Sequence, residues 1–344
     1  MYRSFRSLVA NGVDGHSSSQ GVIGRIAPDE FNSRLKGFLN EEAIASPQDV
    51  ARFNTFLGQG KRYLNESGYS RLTLRVLARD AYADQLDDTE AVLPLQNGFS
   101  IVYVGYNEGG RRFREEQTLH SRVAHALSNA NRHRGGNFVA LSGLLRAARR
   151  EGITVGLVSE QSLSENQLED IGYLMRFHGY DTEASVHGEL SRNRVAAAFL
   201  GERIIGISMG EAANVGVQGG NANIVELTNA TIHPDFRQPG EINRVYAAVT
   251  TLLVTSYAGE NSVIYSESNA TKSTVLAVRA MQGGIMGGLD RVPQGILDQH
   301  VRMRTSNGNA EFYPLAVNYL LSENISRLAG ADEIRGVLDS MRRE

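Results

Sequence analysis

The amino-acid sequence predicts an α/β protein in two units: an α/β domain over residues 1–150, and a second domain over 151–344 whose strands form one mixed β-sheet. Three observations carry that expectation. The chain has 344 residues, 41% of them hydrophobic, which is enough to bury a sizeable core and to build two domains. Strand-like runs of β-branched and aromatic residues alternate with runs of helical periodicity. In the second half, two strand-like runs are joined through a single long helix, the connection that parallel neighbours require.

Residues 1–68 read as polar helical segments broken by Gly and Ser. In "PQDVARFNTFLGQGKRYLNESG", Val50, Phe53, Phe56 and Leu57 recur at helical spacing, which predicts a helix packed by one face. "RLTLRVLA" (71–78) and "GFSIVYVGY" (98–106) read as strands that pair with each other. "EEQTLHSRVAHALSNANRH" (115–133) and "NFVALSGLLRAARREG" (137–152) are helical, the second stopping at Gly152. The second unit opens with a short apolar strand, then a helix capped by Ser164 and carrying Leu168, Ile171, Leu174 and Met175. "RVAAAFLGERIIGISMGEA" (194–212) predicts a hairpin around a Gly-Glu turn. After it come a longer strand "ANIVELTNATIHP", a helix "VYAAVTTLLVTSYAG", a strand "SVIYSESNA", a helix "TKSTVLAVRAMQGG" and two closing strands. The order is β-α-β-β-β-α-β-α-β-β.

Composition removes several kinds of chemistry. There is no cysteine, hence no disulfide, no thiolate metal site and no cysteine nucleophile. His120 and His125 are five apart and do not share a helical face, so no metal site is expected. A formal charge of -3 and a pI near 6.3 give no global pull toward nucleic acid or an anionic membrane. "RHRGG" and "RAARR" read as solvated helix ends, and "VGVQGGNANI" as a hairpin loop without the Lys-Ser/Thr of a phosphate-binding loop. No 18-residue apolar run and no signal-like core is seen, so the expected location is the cytoplasm.

The turn "HPDFRQPGEIN" joins a strand to a helix, where unpaired N–H groups and the positive end of the helix dipole suit a pyrophosphate. The same turn also reads as an ordinary cap, with Glu241 stabilising the helix start. Together with the element order, "FRQPG" at this place resembles the GNAT superfamily of N-acetyltransferases over about residues 152–325. "ELTNATIHPDFRQPG" and "SESNATKSTVLAVRAMQGGIMGG" are loosely similar to its members acting on small amines such as β-lysine. The resemblance implies transfer of an acyl group from acetyl-CoA or another acyl-CoA to a small-molecule amine. It assigns Arg237, Gln238, Gly240, Ile242 and Asn243 to the pyrophosphate, and Asn269 to the donor arm or the acceptor. Three residues depart from the pattern: Ile242 stands where a small residue is usual, Pro239 has no N–H, and Glu241 puts a negative charge near a phosphate.

For chemistry, the resemblance places a general base on the fourth strand, where Glu226 stands. A carboxylate in an otherwise apolar strand suits proton abstraction, while strand alternation equally allows Glu226 to face solvent. His233 is the second candidate base, with a plain strand-end turn as its other reading. The tyrosine acid that the family carries near the end of the next helix is missing, because Arg279 and Ala280 occupy that place. Tyr257, Tyr265 and Tyr313 read as core residues with hydrogen-bonded hydroxyls. Ser266, Ser268 and Asn269 would line the gap between the fourth and fifth strands, with Asn269 also readable as a helix cap. Two further functions stay open: a non-catalytic binding or docking module on the same fold, and transfer from a carrier-protein or tRNA-bound donor.

Overall fold

The computed structural model describes residues 24–29, 34–39, 44–95, 98–108, 117–177, 186–217, 220–237, 241–287, 296–304 and 310–343. Its first sheet has the order β1-β2-β3-β5-β4, with β1 Gly24–Asp29, β2 Arg34–Leu39, β3 Arg71–Arg79, β4 Thr89–Pro94 and β5 Phe99–Asn107. β3 and β5 pair antiparallel over their whole length, as the two strand-like runs predict. β2 lies parallel to β3, and helix α1, Pro47–Ser67, bridges them. Ser46 caps α1 through the Asp49 N–H, Pro47 opens it, and Gly68 ends it at φ 75°, a backbone angle that favours glycine. Its Val50, Phe53, Leu57 and Leu64 bury one face of the sheet against Leu72 and Leu74. A short helix, α2, Asp80–Ala83, follows β3.

The second sheet is β11-β13-β10-β9-β8-β7-β6, with β12 on β13. The strands are β6 Ile153–Val158, β7 Arg194–Leu200, β8 Arg203–Val217, β9 Gly220–Ile232, β10 Ser262–Asn269, β11 Ile285–Met286, β12 Ile296–Arg304 and β13 Ala310–Leu320. β9 and β10 are parallel; every other strand pair described in this sheet is antiparallel, so the sheet is mixed. The parallel pair is joined through helix α7, Glu241–Thr255, the connection expected from the sequence. The other helices are α3 Gln117–Asn131, α4 Phe138–Arg150, α5 Glu165–Phe177, α6 Val186–Arg192, α8 Ser273–Met281, α9 Ser322–Gly330 and α10 Asp332–Met341.

Two features of the packing position the site. Helices α3 and α4, which the sequence groups with the first unit, bury their apolar faces on the second. Leu141, Leu145 and Ala148 of α4 share a core with Val245 and Leu252 of α7, and Val123 and Ala126 of α3 pack on Leu276 and Ala280 of α8. The face of the first sheet that α1 leaves open packs on the second sheet, where Leu93 and Ile101 meet Ile224, Val263 and Val317. The two sheets therefore share a core. No described helix is long and apolar enough to cross a membrane.

Candidate active site

β9 and β10 stay in register from Asn223 and Ser262 to Glu226 and Tyr265. Past that rung they part: β9 runs on beside β8 to Ile232, and β10 runs on beside β13 to Asn269. The pair thus opens as a V at the C-terminal ends of the strands. Past Glu226 and Tyr265 the two strands no longer pair with each other, so the gap between their edges is where an extended chain could enter. A bulge adds one extra residue to β9 between Thr228 and Thr231, inside the open part, where it re-aims backbone groups.

The last common rung carries unusual side chains. Glu211 on β8 lies opposite Glu226, Glu226 opposite Tyr265, and Tyr265 opposite Tyr319 on β13. Directly opposed residues share a face of the sheet, and this face is turned toward the first sheet, as Ile224 and Val263 are. Glu226 is only 2% exposed. The Tyr265 hydroxyl donates to Glu226 Oε2 at 2.8 Å, which meets the rule that a buried carboxylate must be hydrogen-bonded. Burial pushes the Tyr265 phenol well above its ordinary range, and the Glu226 charge pushes the same way, so Tyr265 holds its proton at neutral pH.

Above this rung, Glu267 of β10 forms an ion pair with Arg75 of β3, both nearly inaccessible. Tyr103 of β5 hydrogen-bonds Glu267, and the Arg75 guanidinium stands 5.3 Å from the Tyr103 ring centroid. Burial works against the Arg75 cation, but Glu267 and the other acidic groups outweigh it and hold the guanidinium firmly charged. Burial raises Tyr103 strongly, with Glu267 adding to the effect.

The opposite face of β10 is neutral. Ser266 Oγ donates to Asn318 Oδ1 at 2.9 Å and lies 3.3 Å from Ser268 Oγ. The buried Asn318 Nδ2 has no hydrogen-bond partner among the described residues. An orphaned amide donor beside two hydroxyls fits a neutral, carbonyl-bearing chain better than a charged one. Asn269 Oδ1 accepts from the Thr271 N–H at 2.9 Å and from Thr271 Oγ1 at 2.8 Å, organising the turn into α8.

The other expected residues lie apart. His233 follows the end of β9, roughly 20 Å along the strand from Glu226 at about 3.3 Å per residue. Its Nδ1 accepts from the Asp235 N–H at 3.3 Å, its Nε2 faces Arg203 at 3.3 Å, and its ring packs against Tyr173. The structure does not bring it to the rung of Glu226. Arg237 Nε donates back to the Ile232 carbonyl at 2.9 Å, and burial lowers its pKa. Gln238 and Gly240 lie outside the described residues. Ile242 and Asn243 stand in the first turn of α7, where the buried Asn243 Oδ1 has no hydrogen-bond partner among the described residues. At the place of the missing tyrosine, Arg279 is buried, donates to Gln282 Oε1 at 3.1 Å and lies over the Tyr246 ring. Gln282 in turn bonds Thr250 and Thr251, a polar clamp between α7 and α8.

Sequence reasoning named Glu226 but treated Tyr265 as core and left out Arg75, Tyr103 and Glu267. The signal was present as alternation. In "SVIYSES", Tyr265 and Glu267 fall on one strand face, and in "RLTLRV", Arg71, Thr73 and Arg75 do the same.

No protein-family model matches the sequence, and the search of curated proteins finds no match. Among solved structures, a probable N-acyltransferase from Enterococcus faecalis V583 is similar at 12% identity and a TM-score of 0.28, covering 33% of this chain. This chain spans 29% of the length of that one. An N-acetyltransferase from Staphylococcus aureus Mu50 matches at 8% identity and a TM-score of 0.35, covering 50% of this chain and 98% of its own. The ribosomal-protein-S18-alanine N-acetyltransferase from Escherichia coli matches at 12% identity and a TM-score of 0.35, covering 49% and 93%.

Proposed function

We propose that the chain is an N-acyltransferase that moves an acyl group from an acyl-CoA to the amine of a small molecule. The observation that carries this is the rung at which β9 and β10 part, where a buried carboxylate and a protonated phenol meet at the base of an open V. Such a gap accepts an extended thioester-bearing chain between its two strands, with Ser266, Ser268 and Asn318 on the neutral side. The amine would come from the side of the first sheet, toward Glu226.

The proton traffic closes on these two residues. The amine nitrogen attacks the thioester carbonyl carbon, and its proton passes to Glu226 as the C–N bond forms. Backbone donors around the β9 bulge are the groups available to the carbonyl oxygen as it gains charge. The C–S bond breaks, and the leaving thiolate takes the Tyr265 proton. Glu226 then returns its proton to Tyr265 across their existing hydrogen bond, and both residues are reset. Tyr265 thus fills the role left empty by Arg279. Burial of Glu226 beneath the first sheet favours a second reading, a docking module in which this rung only holds the sheets together.

The two readings separate on donor binding. The acyltransferase binds acetyl-CoA in a calorimeter and releases free thiol from it when amino acids, diamines or amino sugars are added. The chain has no cysteine, so every thiol detected comes from the donor. No binding to any of a panel of acyl-CoAs would leave the docking reading.

A further inference from the structure

The first sheet brings charge to the proposed site. Residues alternate along β3, so Arg71, Thr73 and Arg75 share the face turned to the second sheet while Leu72, Leu74 and Val76 pack on the side of α1. Arg71, Thr73 and Arg75 are all buried. An arginine is taken out of water only where a partner awaits it. Arg71 finds Glu90 within its own sheet, whereas Arg75 crosses to Glu267 of the second sheet. Glu267 stands two residues past Tyr265, on the part of β10 that has already left β9.

We propose, resting on the acyltransferase reading, that Arg75 is a positioning residue of the acyl-transfer site. Its guanidinium fixes Glu267 and Tyr103 over the open V, and so sets the charge and the orientation met by the Tyr265–Glu226 pair. The first sheet is then half of the acceptor side of the site. Arg75 does not touch the reacting atoms; it acts through Glu267. Among the described residues, the groups facing Glu226 from the elements around it are Arg75 on β3, Tyr103 on β5, Glu211 on β8, Tyr265 and Glu267 on β10, and Tyr319 on β13. Arg75 is the cation among these.

That arrangement gives a test of opposite signs in the full-length chain, with acetyl-CoA and the amine panel as probes. Removing the cation with Arg75→Met disfavours the Glu226 carboxylate, so the acid limb of kcat/KM moves to higher pH. Removing the like charge with Glu267→Gln favours it, so the acid limb moves to lower pH. In both variants kcat falls about 10- to 100-fold, the size of a misplaced reacting group, and the calorimetric affinity for acetyl-CoA stays within about 2-fold of the parent. Arg75→Lys keeps the charge and holds the acid limb in place. Arg75→Met strands Glu267 in the interior, so the double variant Arg75→Met/Glu267→Gln, which removes both charges, is measured beside it as the folded control. Opposite shifts in the two single variants, or in Glu267→Gln with a lowered kcat in the double variant, support the inference. An active parent whose folded variants keep the parental kcat and pH profile overturns it while leaving the acyltransferase reading intact. A parent that neither binds nor cleaves any acyl-CoA overturns both.

Discussion

The first rungs of the β9–β10 pair and the stretch just past them are made by the same two strands under the same first sheet, yet they do opposite things. At the closed end, Ala222, Ile224 and Val263 pack on Leu93 and Ile101 in an apolar layer. At the open end, the same sheet faces present Glu226, Tyr265 and Glu267 to Arg75 and Tyr103. Dry packing holds the strands at a fixed separation at one end, which lets them diverge reproducibly at the other. Rigid support from a neighbouring core is what a reacting constellation needs to stay aligned.

The contrast can be broken from either end. The largest expected effect is Glu226→Gln, which should lower turnover by roughly 10²–10⁴-fold, the usual range for a general base, with acyl-CoA affinity unchanged. Single-turnover kinetics with calorimetry checks it, and full kcat across pH would remove Glu226 as the base. At the closed end, Ile224→Ala should cost about 2–5 kcal/mol in urea unfolding through the cavity it leaves, while the pH profile of transfer keeps its shape. Tyr265→Phe removes a hydrogen bond to a carboxylate, a class worth roughly 1.5–3 kcal/mol; kcat should fall about 10- to 100-fold, with the thiol-release step affected most.

A tyrosine away from the V sharpens the comparison. The Tyr257 hydroxyl donates to the Gly210 carbonyl at 3.1 Å, not to a carboxylate, and burial pushes its pKa up to about 12. An unfolded tyrosine titrates near pH 10. Between those values the native state keeps a proton that the unfolded state has lost, so stability falls as pH rises from about 10 to about 12. Alkaline unfolding followed by circular dichroism should show this loss, and Tyr257→Phe should flatten it. The smallest effect is expected at the start of α7, where Glu241→Gln with Ile242→Gly removes charge and bulk. Acyl-CoA should bind a few-fold tighter, at up to about 1 kcal/mol of helix stability, read by calorimetry and thermal melting.

Much of the second sheet was legible because its signals are local. The hairpin turn, the parallel crossover through α7 and the carboxylate in "NIVELTNA" each follow from a few adjacent residues. The first sheet was legible only at β3 and β5, which at nine residues each are its longest strands. β1, β2 and β4 are six residues each, too short for alternation to stand out, and are strands because of the neighbours they pair with. Arg75 was illegible for a related reason. Alternation in "RLTLRV" reads as one face in water, and only the arrival of a second sheet turns that face inward. Tyr265 was read as core because an isolated tyrosine usually is; its neighbour Glu226 lies 39 residues away in sequence. Likewise, the apolar stripes of α3 and α4 were plain, but not which sheet's helices they would meet.

The ion pair between Arg75 and Glu267 joins residues 192 apart in sequence, and this separation bears on how the protein acquires its form. Closing so long a loop is entropically costly before any contact rewards it, and chains dominated by such contacts reach the native state slowly. Hairpins such as β7–β8 and β8–β9 can assemble early from neighbouring residues. The two sheets should dock afterwards, and the layer holding Glu226, Tyr265, Glu267 and Arg75 is completed only at that docking. During synthesis the first sheet must therefore wait, with Arg71 and Arg75 still in water, until β10 and β13 have emerged. Arginine suits that interval, since a sheet face carrying charge is less prone than an apolar one to bury itself against another chain, and the residues that keep the unfinished sheet apart become part of the layer between the two sheets.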